Sequence, residues 1–261
     1  MIICVCWTHR LKTSKMSKVL ILIPSRMAAV RLPGKPLMEI KNIPIISHVV
    51  KRGQETGLGE VVVCAEDKEI VLAVEKNGGK AILTGNCHKN GTERIYEGLQ
   101  KLQFKNIDHI ISLQGDEPEI NPDDIKNLYK HVIENNSDIG TLAAEINEHK
   151  MFSNNNIVKV KTQEKLNNNN FVVALDFSRK DLSKESLNVY HHIGIYCYKV
   201  SILKQYVNLE HTKNEIENRL EQLRAIDNNI IINVALAKSS PIGIDTKEDY
   251  LELKKIMEYK S

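Results

Sequence analysis

Short apolar segments and amphipathic segments alternate along the first half of the chain, and this order constrains the fold more than any other feature. Buried strands are predicted at 19–23, 60–65, 81–83 and 109–113. Helices are predicted between and after them, at 45–55, 68–76, 91–102 and 122–134. Strands that alternate with helices in this way pair in parallel, and the helices cover the faces of the sheet. We therefore expect an α/β fold built on a parallel sheet.

The second half of the chain contains longer strand-like segments with asparagine-rich connections. Strands are predicted at 138–146, 157–162, 171–177, 193–198 and 230–236. Helices are predicted at 200–207 and 215–225, and Asp245-Thr246 are predicted to cap a final helix that ends at Tyr259. This order favours a mixed sheet with an inserted β-rich lobe at about 147–192. Residues 1–15 differ from the rest, and Met16 directly precedes the first strand. We expect one domain at 16–261 behind a disordered or non-native extension.

Composition excludes several classes of protein. The 261 residues carry a net charge of only +3, which argues against a nucleic-acid partner. The five cysteines include no Cys-x-x-Cys pair, so neither a disulfide framework nor a zinc site is indicated. A reducing cytoplasm fits this pattern. No stretch approaches the roughly 20 apolar residues of a membrane span.

A basic loop follows the first predicted strand. It carries Arg26, Arg31 and Lys35 and is shaped by Gly34 and two prolines. Arginine offers a planar fork to phosphate oxygens and lysine a point charge, and ligands bind at the carboxyl edge of such a sheet. The loop therefore indicates a polyphosphate site, with a solvated basic loop as the alternative. It matches neither the Walker A nor the dinucleotide-binding glycine pattern.

Two aspartates are candidates for a magnesium site. Asp116 follows the fourth predicted strand through a glycine, and Mg²⁺ prefers one or two carboxylates with phosphate oxygens and water. Asp245 precedes the last predicted helix, where an N-cap is the alternative role. Thr246 and Asp249 resemble a capping box, which can leave Asp245 free. A turn is the alternative for Asp116.

Other polar segments have a structural and a functional interpretation. His191 and His192 open a strand, so at most one of them can face a given pocket and contact a sugar or carboxylate. The segment at 88–94 starts a helix whose free N–H groups could bind an anion, or which Asn90 simply caps. Glu221 and Gln222 lie on a predicted helix, where a solvated face is the alternative. No motif for covalent catalysis occurs, which favours a reaction run by cations and a metal, with a substrate hydroxyl as nucleophile.

Seven motifs together resemble one known family, the 3-deoxy-manno-octulosonate cytidylyltransferases (CMP-Kdo synthetases). In chain order they are Ile-Pro-Ser-Arg26 with Arg31-Leu-Pro-Gly-Lys-Pro-Leu37, Asn90-Gly-Thr-Glu-Arg94, Leu-Gln-Gly-Asp-Glu-Pro118, Phe-Ser-Arg179, His-Ile-Gly-Ile-Tyr196, Leu-Glu-Gln-Leu-Arg224 and Gly-Ile-Asp-Thr-Lys-Glu-Asp249. The resemblance extends from about Lys18 to the C-terminal helix. It implies a Rossmann-like, GT-A-like nucleotidyltransferase fold, a three-layer sandwich with a mostly parallel mixed sheet. The inserted lobe would mediate a homodimer.

The resemblance also implies substrates and roles. CTP and the sugar acid Kdo would react with the help of Mg²⁺ and give CMP-Kdo for lipopolysaccharide. The nucleotide side would comprise Pro24, Arg26, Arg31, Lys35, Gly91, Arg94 and Gln114. The sugar side would comprise Arg179, His192, Glu221 and Gln222. Asp116 and Asp245 would ligate the metal, and Arg26, Lys35 and Asp116 would be catalytic.

The chain departs from the family pattern at several positions. Ala29-Val30 replace a usual Ser-Thr pair, Ala65-Glu66 replace Thr-Asp, and Asn90 replaces a serine. The segment after Arg179 lacks a usual proline, and Thr212-Lys213 replace Ser-Pro. Three alternatives therefore stay open. They are a related ulosonic acid such as 8-amino-Kdo, another sugar nucleotidyltransferase, and a non-catalytic nucleotide-sugar binder.

Overall fold

A computed structural model describes residues 18–28, 31–185 and 187–259. The expected N-terminal extension and the departures at Ala29 and Val30 lie outside the described residues. The strands are β1 Val19–Ser25, β2 Glu39–Ile40, β3 Ile43–Pro44, β4 Glu60–Ala65, β5 Lys80–Leu83, β6 His109–Ser112, β7 Ile139–Ala144, β8 Lys159–Thr162, β9 Val172–Ser178, β10 Val189–Lys199 and β11 Ile232–Leu236. The helices are α1 Ile45–Glu55, α2 Lys68–Lys76, α3 Gly91–Leu102, α4 Pro122–Glu134, α5 Lys150–Ser153, α6 Val200–Val207, α7 Lys213–Asn218, α8 Leu223–Asp227 and α9 Lys247–Tyr259.

Nine strands form one twisted mixed sheet in the order β5-β4-β1-β6-β10-β7-β11-β9-β8, and β10 also pairs with β8. The pairs β5–β4, β4–β1, β1–β6 and β7–β11 are parallel. Strands β9 and β10 run against the other seven, so the sheet is mixed but mostly parallel, as expected. The segment expected to form an inserted lobe contributes β8, β9 and the first part of β10 to this sheet. Strands β2 and β3 form a separate two-stranded pair.

The apolar core lies on both faces of the sheet. In β1, Ile21 and Ile23 face one cluster together with α1 and α4, while Leu20 and Leu22 face a second cluster with α3 and α6. These side chains are at most 1% exposed, and burying one such side chain contributes about 1.5–3 kcal/mol. Because β1 is buried on both faces, it is fixed at the centre of the sheet. Its carboxyl end therefore places Ser25 and the adjoining Arg26 at the edge of the sheet.

Local sequence signals account for most of the helices. Helix α4 begins at a proline, and the Asn121 side chain caps it by accepting from the backbone N–H of Asp123 at 2.9 Å. Asn90 caps α3 by accepting from the N–H of Glu93 at 2.9 Å, so the predicted capping role is confirmed. The predicted bounds of α1, α2, α3, α4 and α6 agree with the structure.

One predicted helix, at 215–225, is wrong. The structure has two short helices instead, α7 and α8, with a break between them. Arg219 adopts a left-handed conformation with φ 53°, which ends α7. Glu221 and Gln222 therefore lie in a turn rather than on a helix. This break matters because it directs both residues toward the site described below.

Candidate active site

The basic loop and both candidate metal ligands meet at the carboxyl edge of the sheet. Lys35 Nζ lies 2.6 Å from Asp116 Oδ2 and 3.7 Å from Asp245 Oδ1, and it also donates to the Ile244 carbonyl. Arg31 Nη2 lies 2.9 Å from Asp245 Oδ2. The structure thus brings together four predicted residues, two cations and two carboxylates. Asp116 and Asp245 are 31% and 44% exposed in their side chains, so both remain open to a ligand.

Asp245 is free for this role because a neighbouring residue caps the last helix. Asp249 Oδ2 accepts from the backbone N–H groups of Asp245 and Thr246, at 3.0 and 2.8 Å. Thr246 Oγ1 accepts in return from the N–H of Asp249 at 3.2 Å. This reciprocal pair is the predicted capping box. The Asp245 carboxylate therefore points away from the helix, to Arg31 and Lys35.

Two adjoining cavities flank this charged centre. The small cavity, of about 270 Å³, is bordered by six of the residues implied for the nucleotide side. They are Pro24, Arg26, Lys35, Gly91, Arg94 and Gln114. A side chain at position 91 would place its Cβ 3.0 Å from the Pro24 ring, so glycine keeps this cavity open.

The large cavity, of about 780 Å³, is bordered by every residue implied for the sugar side. They are Arg179, His192, Glu221 and Gln222. Arg31 also borders this cavity, rather than the small one where the resemblance implied it. Arg31 and Arg179 thus place two cations at the same cavity. Burial and the nearby Arg31 guanidinium lower the pKa of Arg179. Gln114 and Asp116 border both cavities.

Three buried polar atoms at the large cavity find no hydrogen-bond partner among the described residues. They are Glu117 Oε2, Tyr196 Oη and Glu221 Oε2. Burial raises the pKa of Glu117 to about 8, with the Asp116 and Asp245 charges adding to the effect. Burial also raises the pKa of Glu221 to about 6. Unpaired buried polar groups are costly, so their convergence on one cavity indicates a ligand rich in hydroxyl groups.

The loop that carries Asp116 is fixed on both sides by Gly194. Gln114 Nε2 donates to the Gly194 carbonyl at 3.0 Å, and the Gly194 N–H donates to the Glu117 carboxylate. The register of β10 against β7 shifts between Ile193 and Tyr196, a bulge that turns this peptide toward the loop. Asp116 is therefore held between two anchored neighbours.

The two adjacent histidines both border the large cavity, so the expectation that only one could do so is wrong. The two imidazole rings nevertheless pair with different residues. His191 Nδ1 pairs with Ser240 Oγ at 2.8 Å, whereas His192 Nε2 pairs with Thr141 Oγ1 at 3.0 Å and its ring packs edge-on against Phe177. The cavity extends past both contacts. Burial lowers the pKa of His192 to about 3, so this ring is neutral at pH 7.

Arg94 is built into the wall of the small cavity. Its guanidinium is 3% exposed in the side chain and donates to Thr84 Oγ1 and the Gly85 carbonyl, both at 2.8 Å. It also pairs with Glu66 at 2.5 Å. Glu66 is one of the departures from the family pattern, and the structure gives it this partner. Three of the five N–H groups of Arg94 are thus occupied, and it shapes the wall.

Sequence reasoning missed three polar residues at or beside this site. Tyr196 and Glu117 stand inside recognised motifs but received no role of their own. Thr92 stands beside Gly91, and its hydroxyl donates to Glu221 Oε1 at 2.8 Å. The signal that identifies the first two is an unpaired buried atom, and for Thr92 it is a contact across 129 residues. No local pattern in the sequence carries either signal.

The fold and this charged centre define an α/β nucleotidyltransferase. A UDP-glucose pyrophosphorylase structure has the same fold, with a TM-score of 0.67 at 14% identity over 94% of this chain and 100% of that one. The sequence profile of the cytidylyltransferase family matches residues 20–235. A structure of CMP:2-keto-3-deoxy-manno-octonic acid synthetase complexed with CTP has a TM-score of 0.83 at 33% identity. It covers 94% of this chain and 100% of that one.

Two relatives named 3-deoxy-manno-octulosonate cytidylyltransferase extend this likeness. The protein from Afipia carboxidovorans is 40% identical over 91% of this chain and 96% of its own length. The one from Nitrobacter hamburgensis is 38% identical over 92% and 93%. The chain belongs to the 3-deoxy-manno-octulosonate cytidylyltransferase family, and the predicted family, fold class and enzyme class are confirmed. Among the helices that the structure describes, none is long and apolar enough to cross a membrane.

Proposed function

We propose that this enzyme joins CTP and 3-deoxy-D-manno-octulosonate (Kdo) to give CMP-Kdo and pyrophosphate, for lipopolysaccharide biosynthesis. One observation carries the proposal. Six of the seven residues implied for the nucleotide border the small cavity, all four implied for the sugar border the large one, and the two cavities share Gln114 and Asp116. A binder of one ligand has no need of a charged centre between two cavities.

The small cavity suits the nucleotide. Arg26, which directly follows β1, and Lys35 both border it and would present two cations to the triphosphate. The cytidine would lie against Pro24 and Gly91. Because Lys35 is only 12% exposed in its side chain, its charge is screened little by solvent and acts strongly on a bound phosphate.

The large cavity suits an acidic sugar. Arg31 and Arg179 face it and provide positive charge for the carboxylate of a ulosonic acid. Glu221 and Gln222 border it with carboxylate and amide groups, which hydrogen-bond sugar hydroxyls. The unpaired atoms of Glu117 and Tyr196 add two more such groups. The cavity therefore combines a cationic side and a hydroxyl-binding side.

The donor set at the charged centre fits Mg²⁺. Asp116 and Asp245 supply two carboxylates around one point, and no cluster of three or more His, Cys, Asp or Glu side chains occurs within the described ranges. Mg²⁺ is bound in just this manner, by one or two carboxylates with the remaining positions filled by phosphate oxygens and water. When bound, the ion would supply charge neutralisation at the phosphates.

The chain's own residues would act by position and charge. The anomeric hydroxyl oxygen of the sugar would form a bond to the α-phosphorus of CTP, the bond to the bridging oxygen of the β-phosphate would break, and the hydroxyl proton would pass to solvent. Lys35 and Arg26 would stabilise the negative charge that develops on the departing pyrophosphate. Asp116, anchored between Gln114 and Glu117, would keep the reacting groups in line.

We also propose a homodimer and a cytoplasmic location. The inserted lobe exposes Leu175 at 49% and Leu187 at 80%, apolar surface that a second copy could cover. Cys64 and Cys197 are buried free thiols, which fits a reducing compartment. Sedimentation analysis tests the first proposal. A dimer that Leu175→Lys converts to monomer is the expected result, and a wild-type monomer would exclude it.

The reaction is tested by pyrophosphate release with CTP, magnesium and Kdo. Control reactions omit Kdo or replace CTP with UTP. Release that needs both CTP and Kdo is the expected result. Release only with 8-amino-Kdo or another ulosonic acid would support the same reaction with a different sugar substrate. No release with any pair would support a non-catalytic binder and refute the proposal.

A further inference from the structure

Thr92 lies between the two cavities and borders neither of them as the structure describes them. It stands in the first turn of α3, whose neighbours Gly91 and Arg94 border the small cavity. Its side chain is directed the other way and is 3% exposed. The Thr92 hydroxyl donates to Glu221 Oε1 at 2.8 Å, and Glu221 borders the large cavity.

The direction of this hydrogen bond follows from charge. An ionised carboxylate can only accept, so the Thr92 proton goes to Glu221. Tyr198, which is 3% exposed, lies beside Thr92 and Glu221 in the same interior. Thr92 therefore holds one oxygen of the Glu221 carboxylate through a directed hydrogen bond.

The other oxygen, Glu221 Oε2, is buried without a hydrogen-bond partner in the described part of the chain. The backbone of this turn is held separately, because the Tyr206 hydroxyl donates to the Glu221 carbonyl at 2.5 Å. The contact with Thr92 is thus not needed to place the turn. It determines how the Glu221 carboxylate is oriented within it.

We propose that Thr92 is a positioning residue for the sugar side of the reaction, which orients Glu221 so that its free oxygen faces a substrate hydroxyl. This inference rests on the proposed function. It assigns to the helix that borders the nucleotide cavity a role in binding the sugar. For Thr92 to have this role, the wall of the nucleotide cavity and the wall of the sugar cavity must stay at a constant distance from each other.

The test uses Thr92→Val, which keeps the shape and removes the hydroxyl. The KM for Kdo is expected to rise about tenfold, since one oriented hydrogen bond is lost, while the KM for CTP stays within about twofold. Thr92→Ser should restore the KM for Kdo. Tyr198→Phe is the matched control, because it removes a neighbouring buried hydroxyl and leaves the bond from Thr92 to Glu221.

A second readout needs no substrate. The hydrogen bond from Thr92 lowers the pKa of Glu221 against the effect of burial, so Thr92→Val should raise this pKa above about 6. Carboxyl ¹³C NMR of labelled protein follows the titration. The charged and titratable groups around Glu221 are the same in both proteins, namely Glu93, Tyr196, Tyr198, Tyr206, Glu215 and Arg224.

The outcomes separate this inference from the proposed function. If the wild-type enzyme releases no pyrophosphate in response to Kdo, the proposed function is refuted. The NMR titration still tests Thr92 in that case, because an unchanged Glu221 pKa in Thr92→Val would overturn its role. Active wild-type enzyme with an unchanged KM for Kdo in Thr92→Val would overturn the inference alone. An equal rise in both KM values would indicate general disruption of α3 and would also overturn it.

Discussion

Replacing Asp116 by asparagine should separate activity from stability. The substitution keeps the shape of the side chain and removes a charge 2.6 Å from Lys35 Nζ. Preorganised charge of this kind contributes about 3–4 kcal/mol to a transition state, so we expect turnover to fall by a factor of about 100–1,000. The reason is that Asp116 would hold the metal and one end of the reacting phosphates.

The same substitution should change the free energy of unfolding by only about 1 kcal/mol or less. The Asp116 side chain is 31% exposed, and an ion pair that solvent reaches contributes little. Its loss is also offset, because Asp116 lies near the negative charge of Asp245, with Lys35 Nζ close to both carboxylates. Lys35 keeps the Ile244 carbonyl as a partner.

Asp124→Asn is the matched control, with the opposite expected pattern. Asp124 is 1% exposed and accepts from the backbone N–H groups of Lys238 and Ser239 and from the Ser239 hydroxyl. Its loss should cost about 2 kcal/mol of stability and leave most of the turnover. Pyrophosphate release and urea unfolding measure the two quantities. Near-normal turnover in Asp116→Asn would refute the assignment of the charged centre.

Three further predictions concern single residues around the centre. Lys35→Met should reduce turnover about 100-fold or more in the pyrophosphate assay and weaken CTP binding in calorimetry, and unchanged CTP affinity would count against its role. Arg179→Met should raise the KM for Kdo about tenfold or more with little change for CTP, and equal changes for both substrates would contradict the assignment of the large cavity. The pKa of His192 is lowered from 6.5 to about 3. Between these two pH values the folded chain therefore binds fewer protons than the unfolded chain, and the free energy of unfolding falls as the pH drops. At pH 5 this cost is about 2 kcal/mol relative to pH 7, and it should be absent in His192→Asn when urea unfolding is compared at the two pH values. An equal acid sensitivity in both proteins would show that His192 is not buried neutral.

The sequence predicted most of the secondary structure because the local signals agreed with the tertiary fold. Helices α1 to α4 have apolar faces with helical spacing, and their ends carry capping residues or prolines. Strand β1 is apolar on both faces, which indicated a central position. The order of strands β7 to β11 could not be predicted, since β10 pairs with three strands and its bulge at Gly194 depends on contacts with a distant loop.

The site was predictable only in part. Residue types and motifs indicated Arg26, Lys35 and Asp116, but the meeting of Asp116 with Asp245 depends on folding across 129 residues. The segment at 215–225 has helical spacing throughout, but in the structure the helix ends at Arg219, which adopts a left-handed conformation. That break gives Glu221 its place at the cavity. Helical spacing in a sequence indicates the local preference of a segment for helix. It does not indicate where the tertiary fold overrides that preference.

The most direct test of the two-cavity account is a crystal structure of the protein with CTP and magnesium. We expect the triphosphate to contact Arg26 and Lys35 and a metal to lie between Asp116 and Asp245. The cytidine should occupy the small cavity beside Pro24 and Gly91. Nucleotide bound in the large cavity, against Arg179 and Glu221, would contradict the account.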